Sequence, residues 1–359
     1  MSTSLTSQLQ SARHQVADDA DLQAWLRERG WTDGLPVVPP TPERVASFLE
    51  WAVLPPDHLV GIEPVRGRAV TAEKVAINAV LAGCSPAQFP VIVTAVTALL
   101  ADEFALHGPT ASTGGAGILL VVNGPARAEA GMTGTFSALG AGDPAATVIA
   151  RAVRLVLANV LDVRPGGIDR STLGHPGKLG FCVAEDEEHS PWPALAADRL
   201  GLAATPGTGS DVSAVTALAA MGPRQIMNEW TTEPEEILDT FAAEMRANMR
   251  HYSIWGGDYA LIIPPQLRDH LAAAGWSRAD IQRYIHERAR INRSEWAEVG
   301  KGSVVMDKGD RSYAALPSAD DLLVIAAGGP AGGFGAVIPP WLGTKSRAVT
   351  VPVGACVNC

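Results

Sequence analysis

Cysteine is scarce in this chain, with only 4 residues in 359. Small secreted domains that cannot build a large core rely on many disulfides, and so few cysteines in so long a chain exclude that class. In a chain whose thiols are kept reduced, the four cysteines are catalytic, redox-active, metal-binding or simply buried.

Basic residues are also few, and they are scattered. The chain has 28 Lys and Arg against 38 Asp and Glu, which gives a formal charge of -10. No basic cluster is present that would follow a phosphate backbone. We therefore expect no nucleic-acid partner.

Long apolar runs are missing as well. The longest, residues 89–101, is shorter than the roughly 20 residues that cross a bilayer, and it contains a proline and two threonines. Residues 1–10 are polar and lack the apolar segment of an export signal. These absences predict a soluble, cytoplasmic protein with no membrane partner.

What the chain does contain is enough apolar material for a large core. Hydrophobic residues make up 47% and charged residues only 18%, below the usual quarter. At this length one core usually gives way to two. We expect an N-terminal helical and extended arm at 1–58, a first α/β lobe at 59–200, a second α/β lobe at 201–353 and a tail at 354–359.

The apolar pattern predicts the fold class. From residue 60 onward short apolar runs alternate with helical periods, which indicates an α/β protein of two lobes, with largely parallel or mixed sheets flanked by helices. The predicted strands are 117–122, 180–184, 259–263, 322–327 and 348–353. The predicted helices are 19–29, 71–81, 89–101, 144–160, 233–249, 267–274 and 279–290.

The clearest chemical motif is the pair Cys356 and Cys359, in the order Cys-Val-Asn-Cys. Two thiols with this spacing can close a small disulfide or bind a soft transition metal such as zinc or copper. The competing interpretation is a functionally silent terminus. The spacing favours thiol chemistry without identifying a substrate.

Cys84 is a second candidate nucleophile. It follows one predicted helix and precedes another, and the positive end of the second helix would lower its pKa. Packing is the alternative, because cysteine is among the most buried residue types. For Cys182, which lies in a predicted core strand, packing is the expected role.

Two histidines on predicted loops are candidates for proton transfer. His107 precedes a run rich in Thr, Ser and Gly, and His175 lies in the polar segment 169–178. Loop histidines serve as bases, as ligands or as ordinary loop residues. A second polar segment, 185–192, combines an acidic run with a histidine and could bind a metal, although such runs are more often solvated turns.

Two glycine-rich segments, 131–143 and 328–335, lie at a helix start and a strand exit. Their backbone amides could hold a carboxylate or a phosphate. The first segment matches no nucleotide-binding pattern, and for the second segment a tight structural turn is the competing interpretation. For Asn78 and Asn123 the alternative to substrate binding is hydrogen bonding inside the core. The predicted substrate-binding residues are Asn78, Asn123, Gly124, Gly329 and Gly333.

Several separated motifs resemble a known family. They are residues 31–41 (Trp-Thr-Asp-Gly-Leu-Pro-Val-Val-Pro-Pro-Thr), 78–84 (Asn-Ala-Val-Leu-Ala-Gly-Cys), 106–108, 123–125, 171–178 and 190–192. Over most of residues 30–352 the chain resembles the long UGSC-like proteins, or UGSC family (seleno)proteins. That family is named for a selenocysteine-Gly-Ser-Cys motif, so the resemblance implies thiol or selenol chemistry but no defined reaction. Cys356 and Cys359 have the same spacing.

The leading hypothesis is a thiol-dependent enzyme acting on a small molecule. Cys356 attacks the substrate, Cys359 resolves the adduct, and His107 or His175 manages the proton in a cleft that also contains Cys84 and Asn123. A thiol reductant and a second copy of the chain are the expected protein partners.

Two alternatives remain open. One is a metal-dependent lyase or hydrolase with Cys or His ligands and Glu185 or Glu187 nearby. The other is a metal-trafficking protein whose Cys356 and Cys359 transfer zinc or copper.

Overall fold

The computed structural model describes residues 5–252, 256–305, 310–342 and 345–354. Its α-helices are α1 (Leu5–Gln8), α2 (Asp19–Glu28), α3 (Pro42–Trp51), α4 (Ala72–Ala82), α5 (Phe89–Leu100), α6 (His107–Ala111), α7 (Ala126–Glu129), α8 (Pro144–Asn159), α9 (Leu195–Leu200), α10 (Pro234–His251), α11 (Pro265–Ala273) and α12 (Arg278–Arg288). Its strands are β1 (Leu59–Glu63), β2 (Arg68–Thr71), β3 (Gly117–Asn123), β4 (Cys182–Ala184), β5 (Ala214–Ala220), β6 (Arg224–Met227), β7 (Tyr259–Ile263), β8 (Arg290–Asn292), β9 (Ser312–Ala314), β10 (Leu322–Ala326), β11 (Phe334–Ile338) and β12 (Val349–Pro352).

Two four-stranded sheets form the centre of the molecule. The first sheet has the order β12-β5-β3-β4 and the second has the order β10-β7-β11-β6. Each sheet contains one parallel pair, β3 with β4 and β7 with β10, while its other pairs are antiparallel. The predicted α/β fold with mixed sheets is therefore confirmed.

The two sheets share one strand pattern and exchange their last strands. In both, a parallel pair is followed by an antiparallel neighbour, β5 or β11. The next strand along the chain then joins the other sheet, since β6 pairs with β11 and β12 pairs with β5. The first sheet thus contains strands from both predicted lobes, 59–200 and 201–353. The boundaries of the two lobes stay predictions.

Strand periodicity arranges these sheets and the helices in four layers. Alternate side chains of β3 point to opposite faces: Leu119 and Val121 pack against the second sheet, while Leu120 and Val122 pack against helices. The helices beside the first sheet include α4, α5 and α8. Those beside the second sheet include α10, α11 and α12. The core therefore has a central sheet-on-sheet part and an outer part on each side.

Helix α8 is set by its own sequence. The Asp143 side chain accepts a hydrogen bond from the amide of Ala146 at 2.9 Å, and Pro144 occupies the first turn. An apolar stripe that includes Ile149 and Val153 is buried against the first sheet. This packing holds α8 against the first sheet.

Over the described ranges, no single helix has the length and apolar character to cross a bilayer, although one pair bent by 69°, Pro86–Leu100 with Asp102–Ala111, passes on length and composition.

Candidate functional site

A cavity of about 30 Å³ lies between β3 and α8. It is lined by Pro109 and Thr110 of α6, by Ala116, Gly117, Ile118 and Leu120, by Ala150, Val153, Arg154 and Leu157 of α8, and by Val163, Gly177, Lys178, Gly180 and Phe181. This lining contains two cationic side chains and no carboxylate. The cavity therefore combines apolar walls with positive charge.

Arg154 is the cation in this lining that lacks a matched partner. Its side chain is only 17% exposed, and its ion pair within the described structure is with Asp169, whose Oδ2 lies 3.6 Å from Nη2. No described residue accepts a hydrogen bond from its guanidinium, although a guanidinium carries five N–H donors. Burial lowers the pKa of Arg154, opposed by the charge of Asp169. Its donors therefore remain available to a ligand in the cavity.

Lys178, in contrast, is fully engaged. Its Nζ donates to Ser171 Oγ at 2.8 Å and to the carbonyl of Ala116 at 3.2 Å, and it lies 3.1 Å from Asp169 Oδ2. An ammonium group has three donors, and all three are used. Burial lowers the pKa of Lys178, while Asp169 favours its charged form. These contacts hold the 169–178 loop at the wall of the cavity.

Asp169 serves both cations of the lining. Its Oδ1 accepts hydrogen bonds from the Ser171 amide at 3.1 Å and from Ser171 Oγ at 2.5 Å. Burial raises the pKa of Asp169, but these hydrogen bonds and the charge of Lys178 outweigh it and hold the pKa below its ordinary value. Asp169 is therefore ionised at neutral pH, and one negative charge faces Arg154 and Lys178 together.

A neighbouring ion pair on α8 is complete by itself. Arg151 binds both carboxylate oxygens of Asp33 at 2.7 and 2.9 Å, and it also donates to the carbonyls of Pro36 and Ala82. Such a bidentate pair neutralises both charges. The cavity consequently retains one positive charge more than its surrounding carboxylates balance.

His175 begins the short 3-10 turn Pro176–Lys178 and touches the start of β3. Its Nδ1 accepts from the Gly177 amide at 3.2 Å, while Nε2 lies 3.0 Å from the Gly117 amide and 3.2 Å from the carbonyl of Ala220. Burial lowers the pKa of His175, which favours the neutral ring. Because both ring nitrogens face the backbone, the geometry favours a loop-positioning role, and proton transfer by His175 stays a prediction.

His107 lies close to the same cavity. It is the first residue of α6, and Pro109 and Thr110 of that short helix line the cavity. Its Nδ1 is buried and has no hydrogen-bond partner in the described ranges. His107 therefore stays a candidate for proton transfer at this site.

Cys84 does not have the electrostatic environment of a nucleophile. Its Sγ donates to the carbonyl of Val148 at 3.3 Å, and burial raises its pKa to about 12 against the opposing charge of Arg151. The expected lowering of the Cys84 pKa is therefore wrong, because the loss of water outweighs any nearby positive charge. Cys182 packs in the core as predicted, and burial raises its pKa as well.

Asn123 and Gly124 lie at the other end of β3 and bind two buried carboxylates. Asn123 Nδ2 donates to Glu185 at 2.6 Å and to Glu187 at 2.8 Å, and the Gly124 amide donates to Glu187 at 2.7 Å. The side-chain and backbone N–H groups that were expected to hold substrate are thus engaged within the protein. The alternative interpretation, hydrogen bonding inside the core, describes Asn123 in this structure.

The same carboxylates also have their other oxygens occupied. Glu185 Oε1 accepts from Arg278 at 2.9 Å, and Glu187 Oε2 accepts from the Ser210 amide at 2.7 Å. The Leu195 amide adds a second hydrogen bond, at 2.7 Å, to the Glu185 oxygen that binds Asn123. A metal at Glu185 or Glu187 would have to displace these donors. The part of the chain that is described contains no group of three or more His, Cys, Asp and Glu side chains that could hold a metal ion.

The sheet separates residues that were expected to share one cleft. His175 contacts Gly117 at the start of β3, and Asn123 is the last residue of that strand. A strand of seven residues is about 20 Å long. The structure therefore places His175 beside the cavity-lining residue Gly117 and leaves Asn123 and Gly124 at the opposite end of β3.

The remaining predicted binding residues have structural contacts. Asn78 donates to the carbonyl of Lys74 at 2.8 Å and accepts from Asn159 at 2.7 Å. The Gly333 amide donates to Glu229 at 3.0 Å, and a side chain at Gly333 would lie 2.3 Å from the nearest carbonyl oxygen.

Gly329 packs in the same way, because a side chain there would lie 2.5 Å from the ring of Phe136. These contacts favour the tight-turn interpretation of residues 328–335. Cys356 and Cys359 lie outside the described residues.

Arg154 was missed from the sequence, although a signal for it exists. Helix α8 contains only two charged residues, Arg151 and Arg154, in an otherwise apolar stretch. Charged side chains are rarely buried without a partner. A buried helix with two arginines therefore signals ion pairs or a ligand; in the structure Arg151 has a short ion pair with Asp33 and Arg154 has a longer one with Asp169.

The comparisons with known proteins identify no relative. The chain matches no protein-family model, no curated protein and no solved structure. Its resemblance to the UGSC-like proteins stays a prediction from the quoted motifs.

Proposed function

We propose that this chain is an enzyme that binds a small organic anion in the cavity between β3 and α8. The observation that supports this most strongly is Arg154, a half-buried cation in the cavity lining whose guanidinium has no hydrogen-bond acceptor among the described residues. Apolar neighbours such as Ile118 and Val153 favour a ligand that also has a hydrocarbon part.

The physical reason is the cost of partly burying a charge whose ion pair with Asp169 is too long to be a hydrogen bond. Removing a cation from water costs several kcal/mol unless a counter-charge or hydrogen bonds replace the lost solvation. Asp169 is shared with Lys178 and stands 3.6 Å from Arg154, beyond hydrogen-bonding distance. An anion in the cavity would supply the acceptors that this guanidinium lacks.

The test is a titration of the purified full chain with small organic anions at constant ionic strength, followed by thermal unfolding and calorimetry. We expect saturable binding that raises the melting temperature, and we expect Arg154→Met to weaken it. Loss of a charge-assisted hydrogen bond costs about 1.5–3 kcal/mol, or about 10- to 150-fold in Kd.

Arg246→Met is the matched control. Arg246 lies on α10 in the outer helical layer of the second sheet, is 47% exposed and pairs with Glu295 at 3.4 Å. It should bind anions as the parent does. Equal binding by Arg154→Met and Arg246→Met, or no saturable binding by the parent, would refute the proposed function.

Thiol chemistry on the bound molecule is the second part of the proposal. The two described cysteines, Cys84 and Cys182, both have raised pKa values, so a thiolate reaction would use Cys356 or Cys359. Their spacing supports a reaction at a disulfide sulfur carried by the bound molecule: the Cys356 thiolate attacks that sulfur and expels the other half as a thiolate, and Cys359 then attacks Cys356 Sγ and releases the substrate as a thiol. The substrate disulfide is thereby reduced, the Cys356–Cys359 pair is oxidised to a disulfide, and a thiol reductant restores the pair. Full turnover by a Cys356→Ser, Cys359→Ser variant on a ligand found in the titration would exclude this reaction.

A further inference from the structure

We infer that the anion is a monocarboxylate whose buried part is short and aliphatic. This inference rests on the proposed function and specifies the substrate class of the same cavity. Three features of the described residues carry it: the balance of charge around the cavity, the geometry of the free donors, and the character of the walls.

The charge balance selects a monoanion. Asp169 faces both Arg154 and Lys178, while Arg151 is neutralised by Asp33. One positive charge therefore remains at the cavity, and one negative charge on the ligand balances it. A phosphate monoester carries about -1.5 to -2 at neutral pH, and the excess would be buried without a partner.

The free donors select a planar acceptor. Lys178 has used its three donors inside the protein, so the Arg154 guanidinium is the charged donor left in the lining. Its parallel N–H groups match the two oxygens of a carboxylate. A sulfonate or phosphonate has three oxygens in a tetrahedral arrangement. The two parallel N–H groups of one guanidinium leave at least one of these oxygens without a donor.

The walls and the size of the cavity limit the rest of the ligand. The side chains of Ile118, Leu120, Val153 and Leu157 are apolar, which favours hydrocarbon over further polar groups. A volume of about 30 Å³ encloses only a few heavy atoms. Gly180 lines the cavity and is exposed at the surface, so a longer chain would leave the protein there.

The test compares three ligands with the same two-carbon chain: propanoate, ethanesulfonate and ethylphosphonate. Calorimetric titrations of the full chain at constant ionic strength should give propanoate a Kd at least tenfold lower than either of the others. Propylammonium serves as the charge control and should not bind.

The Arg154→Lys variant tests the donor geometry directly, because it keeps the positive charge and loses the two parallel N–H groups of the guanidinium. It should weaken propanoate binding at least tenfold and change ethanesulfonate binding less than threefold. An equal change for both ligands, whether small or large, would show that the guanidinium geometry does not distinguish a carboxylate from a sulfonate and would overturn the inference.

The outcomes separate the two proposals. If ethanesulfonate or ethylphosphonate binds as tightly as propanoate and Arg154→Met abolishes it, the carboxylate inference fails and anion binding stands. If none of the three binds saturably, the proposed function itself fails.

Discussion

The rate at which Cys84 is alkylated measures how far burial lowers the reactivity of its thiol. The structure raises the pKa of this thiol from an ordinary 9.0 to about 12. Only the thiolate reacts with iodoacetamide, and three pKa units near neutral pH correspond to about a thousandfold smaller thiolate fraction. We therefore expect Cys84 to be alkylated about a thousandfold more slowly in the folded protein than in the unfolded chain.

The assay is a time course at pH 8 in which samples are quenched, digested and analysed by mass spectrometry. The same peptide from protein unfolded in guanidinium chloride supplies the internal reference. A folded rate within tenfold of the unfolded rate would refute the electrostatic reasoning and return Cys84 to the candidate nucleophiles.

Three further predictions concern the charged clusters and one turn. Arg278→Met leaves the buried Glu185 without the cation that pairs with it. The free energy of unfolding measured in urea should therefore fall by about 3–5 kcal/mol. A second change, Glu185→Gln, should recover part of that loss; no recovery would contradict the pairing. Gly124→Ala should lower the free energy of unfolding by more than about 1 kcal/mol, because φ is +76° and the new Cβ would lie too close to a carbonyl oxygen. An unchanged urea midpoint would contradict this. Burial lowers the pKa of His175 below its ordinary 6.5, so the unfolded chain binds the proton more readily and stability falls as the pH drops below about 6.5. His175→Gln should reduce this slope in thermal unfolding between pH 5 and 7, and an unchanged slope would exclude His175 as its source.

The central strands were predictable because their side chains are buried on both faces. Residues 259–263 and 322–326 are unbroken apolar runs, and each lies between a helical layer and the other sheet. Strand β5, in contrast, is rich in alanine, which favours helix in isolation. It is a strand because β3 and β12 pair with it on both sides, and such tertiary context is not visible in a local pattern.

The candidate site was only partly predictable for a related reason. The polar segment 169–178 stood out, and it does lie over the cavity. Asp169 lies on a loop, and the spacing of residues along the chain does not predict that this loop places Asp169 beside Arg154. Likewise, His175 and Asn123 were expected to line one cleft, but strand β3 holds them at its opposite ends.

The most direct test of the central claim is a crystal structure of the full chain with propanoate bound. We predict that both carboxylate oxygens lie about 2.7–2.9 Å from the Arg154 guanidinium, with the hydrocarbon part against Ile118 and Val153. Propanoate bound elsewhere, with Arg154 paired only to Asp169, would contradict the account.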